Sequence, residues 1–350
     1  MIKIIAIIGA RPQFIKHAPI ELYFKDKCDF ITIHTGQHYD ENMSKVFFDE
    51  LGMSAPTYLL KLGGGSHGEQ TGKMLIDIEK ILLDEKPDFV LVYGDTNSTL
   101  AGALAAAKIH IPVIHIEAGL RSFNKQMPEE INRILTDNVS SILLCPTDQA
   151  IENLKSENIT KNVFKSGDIM CDMIHIAKKR NLLQKSPDYL DYIYTTIHRP
   201  YNTDDLQRLE KVLESLNNLD KKIIFARHPR TKNLMEKHQL FDNKFANIKF
   251  IEPISYFENL NYMYNASAIV TDSGGMQKEA YILEKKCITL RSETEWVETL
   301  ENNWNVLVFN HLESIQEELN KKPFGHNDTI YGNGNAAKEI YDIIDDTFKA

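Results

Sequence analysis

Three acidic residues stand where short apolar runs give way to polar loops. They are Asp95 in Gly94-Asp95-Thr96-Asn97-Ser98-Thr99, Glu117 in His115-Ile116-Glu117-Ala118-Gly119-Leu120-Arg121, and Glu129 in Pro128-Glu129-Glu130-Ile131-Asn132-Arg133. Each has an ordinary reading. An Asp before a helix caps it. Acids after a Pro at the first helical position simply suit a helix start. Glu117, emerging from a buried strand, needs a partner whatever its role. Brought to one rim, however, the three crowd like charges together, and crowding favours proton retention, the condition for general acid/base work.

A second set of residues suits an anion. In Gly9-Ala10-Arg11-Pro12-Gln13, Gly9 permits a tight passage, Pro12 fits a helix start, and Arg11 with the helix N-terminus makes an anion site, with Lys16 one turn on. A plain strand-to-helix turn with surface charges would look the same. His198-Arg199-Pro200 and Arg227-His228-Pro229 repeat a His beside a Pro after two different strands; a lone His is usually structural, a matched pair less readily so. The richest segment is Thr271-Asp272-Ser273-Gly274-Gly275-Met276-Gln277-Lys278-Glu279-Ala280. The amides of Ser273, Gly274 and Gly275 at a helix N-terminus suit a diphosphate. Glu279, one turn further, suits the hydroxyls of an adjoining ribose. A tight turn capped by Asp and Ser accounts for the local pattern alone.

These loops need elements to hold them. Continuous apolar runs at Ile2–Ile8, Phe30–His34, Phe89–Tyr93, Val113–Ile116 and Ile142–Cys145 predict strands covered on both faces, as in a parallel sheet. Helices are expected at Pro12–Phe24, Glu41–Leu51, His67–Leu83, Thr99–Ile109 and Glu129–Val139, with Asp40 and Asn97-Ser98 as caps. The alternation resumes with strands at Tyr192–Ile197, Lys222–Ala226, Ile248–Ile251, Ala268–Thr271 and Cys287–Leu290. The polar stretch Lys179–Pro187 reads as a linker. The expected organisation is α/β, with two doubly wound Rossmann-like domains facing a cleft: residues 1–178 carrying the carboxylates, residues 188–334 carrying the anion cradle, and a helix at 335–350 that can return to the first domain.

A chain of 350 residues accommodates two such domains at roughly 100–200 residues each. Its net charge of −9 argues against nucleic acid and anionic membrane as partners. Cys28, Cys145, Cys171 and Cys287 are scattered without metal-ligand spacing, which speaks against structural zinc and for a reducing, cytoplasmic setting. The apolar start MIKIIAII is too short for a signal peptide or a membrane span and reads as a buried strand.

The segments GARPQFIK, TGQH, YGDTNST, HIEAGLRS, PEEINR, IHRP, RHP and TDSGGMQKEA, in this order, resemble the non-hydrolysing UDP-N-acetylglucosamine 2-epimerase family over nearly the whole chain. The resemblance implies a glycosyltransferase-B-type fold, a homodimer, a UDP-sugar substrate, and neither metal nor nicotinamide cofactor. It also implies catalytic roles for Asp95, Glu117, Glu129 and His198. UDP-binding roles fall to Arg11, His228, Ser273, Gly274, Gly275 and Glu279; beside the resemblance, Lys16, Arg121 and Arg133 are further candidate substrate-binding cations. Members of this family eliminate UDP across C1 and C2 to a glycal and add it back with the C2 proton on the other face. The sequence departs from the familiar GTRPE, HRRE and TERPE forms at GARPQ, at His198-Arg199-Pro200-Tyr201 and at Thr294-Glu295-Trp296-Val297-Glu298. These variants look like the branch acting on UDP-2,3-diacetamido-glucuronic acid, and they put in doubt the allosteric site near the HRRE stretch. A hydrolysing relative, a glycosyltransferase of the same fold and an inactive nucleotide-sugar sensor are the rival readings.

Overall fold

The computed structural model describes residues 1–37, 48–185 and 191–349. The helix expected at Glu41–Leu51, its cap Asp40, and His38 of the TGQH segment fall largely or wholly outside them, as do residues 186–190 of the expected linker. The described chain divides into two compact units, Met1–His175 with Thr329–Ala350, and Ile176–Asp328. The divisions fall inside the helix Ile169–Lys179 and after Asp328, rather than in the polar stretch that follows that helix.

The first unit holds a seven-stranded sheet, every pairing parallel: β1 Lys3–Ile8, β2 Asp29–His34, β3 Tyr58–Leu59, β4 Phe89–Tyr93, β5 Val113–Ile116, β6 Ile142–Cys145 and β7 Val163–Lys165, in the order β3-β2-β1-β4-β5-β6-β7. β4, β5 and β6 are buried at every position, which is why they read as unbroken apolar runs. Helix His67–Glu85 turns Met74, Ile78 and Leu82 to the core at a spacing of four. Helix Asn97–Lys108 is rich in alanine and buries Ala101, Ala103, Ala105 and Ala106. Its cap is Thr96, whose hydroxyl accepts the Thr99 amide, and not the Asn97-Ser98 pair expected from sequence. Asn97 and Ser98 instead lie in the first turn and bond outward, Asn97 to Gln70 and Ser98 to Gln37.

The second unit holds a six-stranded parallel sheet: β8 Tyr192–Thr196, β9 Lys222–Ala226, β10 Ile248–Ile251, β11 Ala268–Thr271, β12 Lys286–Thr289 and β13 Asn305–Leu307, in the order β10-β9-β8-β11-β12-β13. Its core is Ile193, Leu209, Val212, Leu213, Leu216, Ile223, Phe225, Val270 and Ile288.

The final helix, Ala336–Lys349, belongs to the first unit. The Asp172 carboxylate accepts the amides of Ala336 and Ala337 at 2.9 and 2.8 Å, closing its otherwise bare N-terminus. Tyr341 lies edge-on to Phe24 at 5.2 Å, and Phe348 to Phe89 at 6.3 Å.

In both sheets the strand order reverses once, between β1 and β4 and between β8 and β11. Ligands of open α/β sheets bind beyond the carboxyl ends of the strands at such a reversal. The Gly9, Gly94, His198 and Asp272 loops follow these same strands, while Glu117 follows the neighbouring β5 and Arg227-His228 the neighbouring β9.

Two buried histidines of the first unit set an acid limit on stability. His17 bridges the Tyr93 and Thr32 hydroxyls at 2.8 and 3.0 Å, and burial lowers its pKa from 6.5 to about 3. Burial lowers that of His34 to about 4. Both are depressed in the fold, so the unfolded chain takes protons below pH 6.5 that the native state refuses, and stability falls from there towards pH 3. For His17 alone the full loss is of order 5 kcal/mol. Denaturant titrations should show a midpoint falling steadily between pH 6.5 and 4.5; a flat midpoint there would contradict the burial argument.

Candidate active site

In the first unit, four features converge on the turn Gly94-Asp95. Lys16, from the helix Arg11–Phe24, forms an ion pair with Glu117, and Arg133, from the helix Pro128–Val139, forms one with Asp95. Asn132 donates to the Asp95 carbonyl at 2.9 Å. A β-carbon on Gly94, whose φ is +60°, would lie 3.1 Å from Glu117 Oε2 and 3.2 Å from Lys16 Nζ. Glycine is therefore needed here twice over, for its backbone and for the space the Lys16–Glu117 pair occupies.

Glu117 itself has φ +72°. That region suits glycine or asparagine, and a glutamate there is strained by about 1 kcal/mol. The strain turns the carboxylate from the end of β5 towards Gly94, where it is nearly buried with Lys16. Two of the three acids expected from sequence, Glu117 and Asp95, are thus each matched with a cation. Glu129, half-buried in the first turn of its helix, stands one turn before Arg133 on the same face. The neighbouring Glu130 does other work. It is buried, and accepts from the Ser122 and Phe123 amides, the Ser122 hydroxyl and Arg133, so it shapes the loop entering the helix.

The loop after β1 differs from expectation. Gln13 Oε1 accepts the Gly9 and Ala10 amides at 2.8 and 3.1 Å, and its Nε2 donates to the Tyr93 carbonyl and the Thr99 hydroxyl at 3.0 Å each. Gln13 therefore ties the β1 and β4 loops together and takes up amides that an anion would use. The anion-binding capacity left in this loop is Arg11, half-buried at the first helical position. Arg121 also departs from its expected role. It is almost wholly buried, with Nε and Nη2 on Glu157 at 2.7 Å each and Nη1 on Asp137 at 2.7 Å and on the Leu120 carbonyl at 2.6 Å. Those ion pairs commit its guanidinium to the fold, and a substrate cannot compete for it.

In the second unit the hub is Asp272, fully buried. Its carboxylate accepts the amides of His198 at 3.0 Å and Arg199 at 2.9 Å and the side-chain amide of Asn202 at 3.1 Å, and lies 3.5 Å from the His198 ring. It is thus a staple between the β8 and β11 loops rather than a helix cap. The cap is Ser273, whose hydroxyl accepts from Met276. The His198 ring packs 5.1 Å from that of His228, which caps the helix Pro229–Lys237. Burial lowers the pKa of His198, opposed by Asp272 and reinforced by Arg199 and Arg230, so its ring favours the neutral form.

The anion cradle is narrower than expected. The Ser273 amide is spent on the Thr271 hydroxyl at 3.0 Å. The amides of Gly274 and Gly275 open the helix Gly274–Ile282, where the helix offers no acceptor of its own. A β-carbon on Gly274 would meet the Glu295 carboxylate at 2.5 Å, so a larger residue here would displace that side chain. One on Gly275 would meet nothing within 4 Å. Gly275 is exposed at the helix start, and an added methyl would occupy only the space where a ligand would approach its amide. Glu279 is buried and its carboxylate accepts from Tyr256 at 3.0 Å, which orients it.

Gly275→Ala should accordingly leave the unfolding midpoint unchanged or slightly raised, since alanine at a compatible site adds about 0.5 kcal/mol, while affinity for a nucleoside diphosphate by calorimetry drops at least about tenfold. Unaltered affinity would remove Gly275 from the cradle.

Sequence reasoning passed over Gln13, Asp272, Asn202, Tyr256 and Asp137. Only Gln13 and Asp272 carried a local signal, each lying inside a quoted motif. Among the described residues no three His, Cys, Asp or Glu side chains converge as metal ligands.

The family model for UDP-N-acetylglucosamine 2-epimerase matches residues 21–345. A UDP-N-acetylglucosamine 2-epimerase homolog of Methanococcus maripaludis is 48% identical, over 98% of this chain and 99% of its own. A UDP-2,3-diacetamido-2,3-dideoxy-D-glucuronate 2-epimerase of Pseudomonas aeruginosa is 44% identical over 98% and 99%. The crystal structure of the Methanocaldococcus jannaschii UDP-GlcNAc 2-epimerase in complex with UDP-GlcNAc and UDP superposes with a TM-score of 0.88 at 45% identity, covering 98% of this chain and 99% of that one. Two parallel α/β sheets with polar loops at the strand-order reversals are the architecture shared with that nucleotide-sugar enzyme. The chain belongs to the UDP-N-acetylglucosamine 2-epimerase family and is an isomerase.

Proposed function

We propose that the protein interconverts UDP-N-acetylglucosamine and UDP-N-acetylmannosamine without hydrolysis. A carboxylate of the Asp95, Glu117 and Glu129 set takes the C2 proton. The C1–O bond breaks with its electron pair leaving on UDP, and a C1=C2 glycal forms. UDP adds back at C1 while a proton enters C2 from the opposite face. Arg11, Lys16, Arg133 and His228 supply cationic or hydrogen-bonding contacts to the substrate. The Gly274 and Gly275 amides carry the diphosphate, Glu279 the ribose, and His198 assists proton traffic as a neutral ring. The observation that carries this reading is Glu117. A carboxylate is kept in a strained left-handed conformation and set beside Lys16 and Asp95 in a chain of this family.

A second sugar has specific support. The diacetamido-glucuronate enzyme of Pseudomonas aeruginosa is nearly as similar as the UDP-N-acetylglucosamine relatives. The test is proton NMR in D2O with both UDP-sugars. The expected result is deuterium at C2 and a gluco/manno mixture still attached to UDP. No exchange with either substrate removes the reading, and free sugar indicates a hydrolase. Which of the two sugars turns over faster names the substrate.

We infer also a cytoplasmic homodimer that supplies precursors for cell-surface polysaccharide. Four buried free thiols suit a reducing compartment. Among the described residues no helix is long and apolar enough to cross a membrane. Exposed Ile76, Leu83, Phe123, Ile131 and Leu135 on the first unit suit a subunit contact. Light scattering at twice the chain's 40.1 kDa is the expected readout.

A further inference from the structure

Behind the β5 loop, four side chains alternate in charge. His115 Nδ1 donates to Asp137 Oδ1 at 2.6 Å, Asp137 Oδ2 accepts from Arg121 at 2.7 Å, and Arg121 grips Glu157 with two bonds of 2.7 Å. The His115 and Asp137 side chains are fully buried and Arg121 nearly so. At its inner end, His115 Nε2 faces the Gly94 carbonyl at 2.8 Å.

The hydrogen count of this chain is constrained. A carbonyl oxygen can only accept. Asp137 already takes hydrogen bonds from Arg121 and from the Gly119 amide at 3.2 Å. The always-charged Arg121 guanidinium at 2.7 Å, with the Gly119 amide, favours the carboxylate form of Asp137, which accepts from His115 as well. Both ring nitrogens of His115 therefore face acceptors, and both carry hydrogen. Two cations and two anions then balance, the arrangement that a buried ionic cluster requires.

This cluster bears directly on the carboxylates. Gly94 is held to β5 from both sides, by its carbonyl through His115 and by its amide on the Ile116 carbonyl at 3.0 Å. Asp95 is the next residue, and the Glu117 carboxylate stands 3.1 Å from where a β-carbon on Gly94 would be. Asp137 grips three points of the segment 115–121, namely the His115 ring, the Gly119 amide and Arg121, and so encloses Glu117 between its anchors.

We propose that Asp137 is a positioning residue for the C2 chemistry: through a doubly protonated His115 and the Gly119 amide it fixes where the Asp95 and Glu117 carboxylates stand. The proposal rests on the epimerase reading. It acts through other residues and touches no reacting atom. A merely structural Asp137 would change the amount of folded protein and leave the turnover of each folded molecule alone.

The experiment uses Asp137→Asn, which keeps the shape but presents a donor where His115 or Arg121 needs an acceptor. At a temperature where the variant is fully folded, kcat should fall roughly 10- to 100-fold, the scale of a misplacement near 1 Å, while KM and the UDP dissociation constant stay within about threefold. The 15N spectrum of wild-type His115 at pH 7.5 should show two protonated ring nitrogens, and that of the variant one. Asp137→Glu keeps the charge but moves it by one methylene; it should lower kcat with His115 still doubly protonated. Unchanged kcat in a folded Asp137→Asn, or a single N–H on wild-type His115, would overturn the proposal. Should Asp137→Asn not fold, the wild-type spectrum and Asp137→Glu still decide. Should the wild type show no C2 exchange, the epimerase reading falls by itself, since the wild-type spectrum reports the His115 geometry independently.

Discussion

Glu117→Gln should lower turnover by about a thousandfold while leaving UDP binding nearly untouched. The glutamate ends β5 at φ +72° and pairs with Lys16 against Gly94. Glutamine has the same shape and can still accept from Lys16 through its amide oxygen. What disappears is the capacity to take a proton and the negative charge opposing Lys16. Proton transfer by a positioned group contributes typically 10²–10⁴-fold, so a loss near the middle of that range is expected. The fold should survive, because the backbone contacts of this loop, the Glu117 and Ala118 amides on the Leu144 carbonyl at 3.1 Å each, do not involve the carboxylate. The measurement is deuterium incorporation at C2 alongside UDP calorimetry. Turnover within threefold of wild type would reduce Glu117 to one half of a structural ion pair.

Asp272→Ala should strongly destabilise the second unit, costing about 3–5 kcal/mol. The carboxylate is fully buried, and three donors from the one segment 198–202 after β8 converge on it. Alanine would strand the His198 and Arg199 amides and the Asn202 side chain without an acceptor, and unpaired buried donors cost roughly 1–3 kcal/mol each. Asp272→Asn, which retains one acceptor oxygen, should fall between. Guanidinium unfolding provides the test, with a loss under about 1 kcal/mol for the alanine variant contradicting the staple. Because the same carboxylate holds the His198 and Ser273 loops in register, UDP affinity should weaken along with stability.

The placement of the chemistry was legible to the extent that it was local. β4, β5 and β6 are buried on both faces, so each announces itself as an apolar run, and the polar residues that follow must lie at the sheet's rim. Three short edge strands gave no such signal. β3, β7 and β13 have two or three residues, with half-exposed or exposed positions among them, and present no run to read. Partners distant in sequence were equally silent. Gln13 looks like an ordinary helix-start residue until Tyr93 and Thr99 are brought beside it, and Asp272 looks like a cap until His198 and Asn202 arrive. Arg121 was misjudged for the same reason. Nothing in the segment His115–Ser122 itself foretells its partners, and only the approach of Asp137 and Glu157 shows the Arg121 charge to be already spent.

The helix Ala336–Lys349 closes the first unit after the chain has built the whole of the second. During synthesis, the seat formed by Phe24, Phe89 and the Asp172 carboxylate waits uncovered through more than a hundred and fifty intervening residues. The domain begun first is thus finished last, and a chain ending before residue 336 leaves Phe24 and Phe89 without the ring contacts of Tyr341 and Phe348.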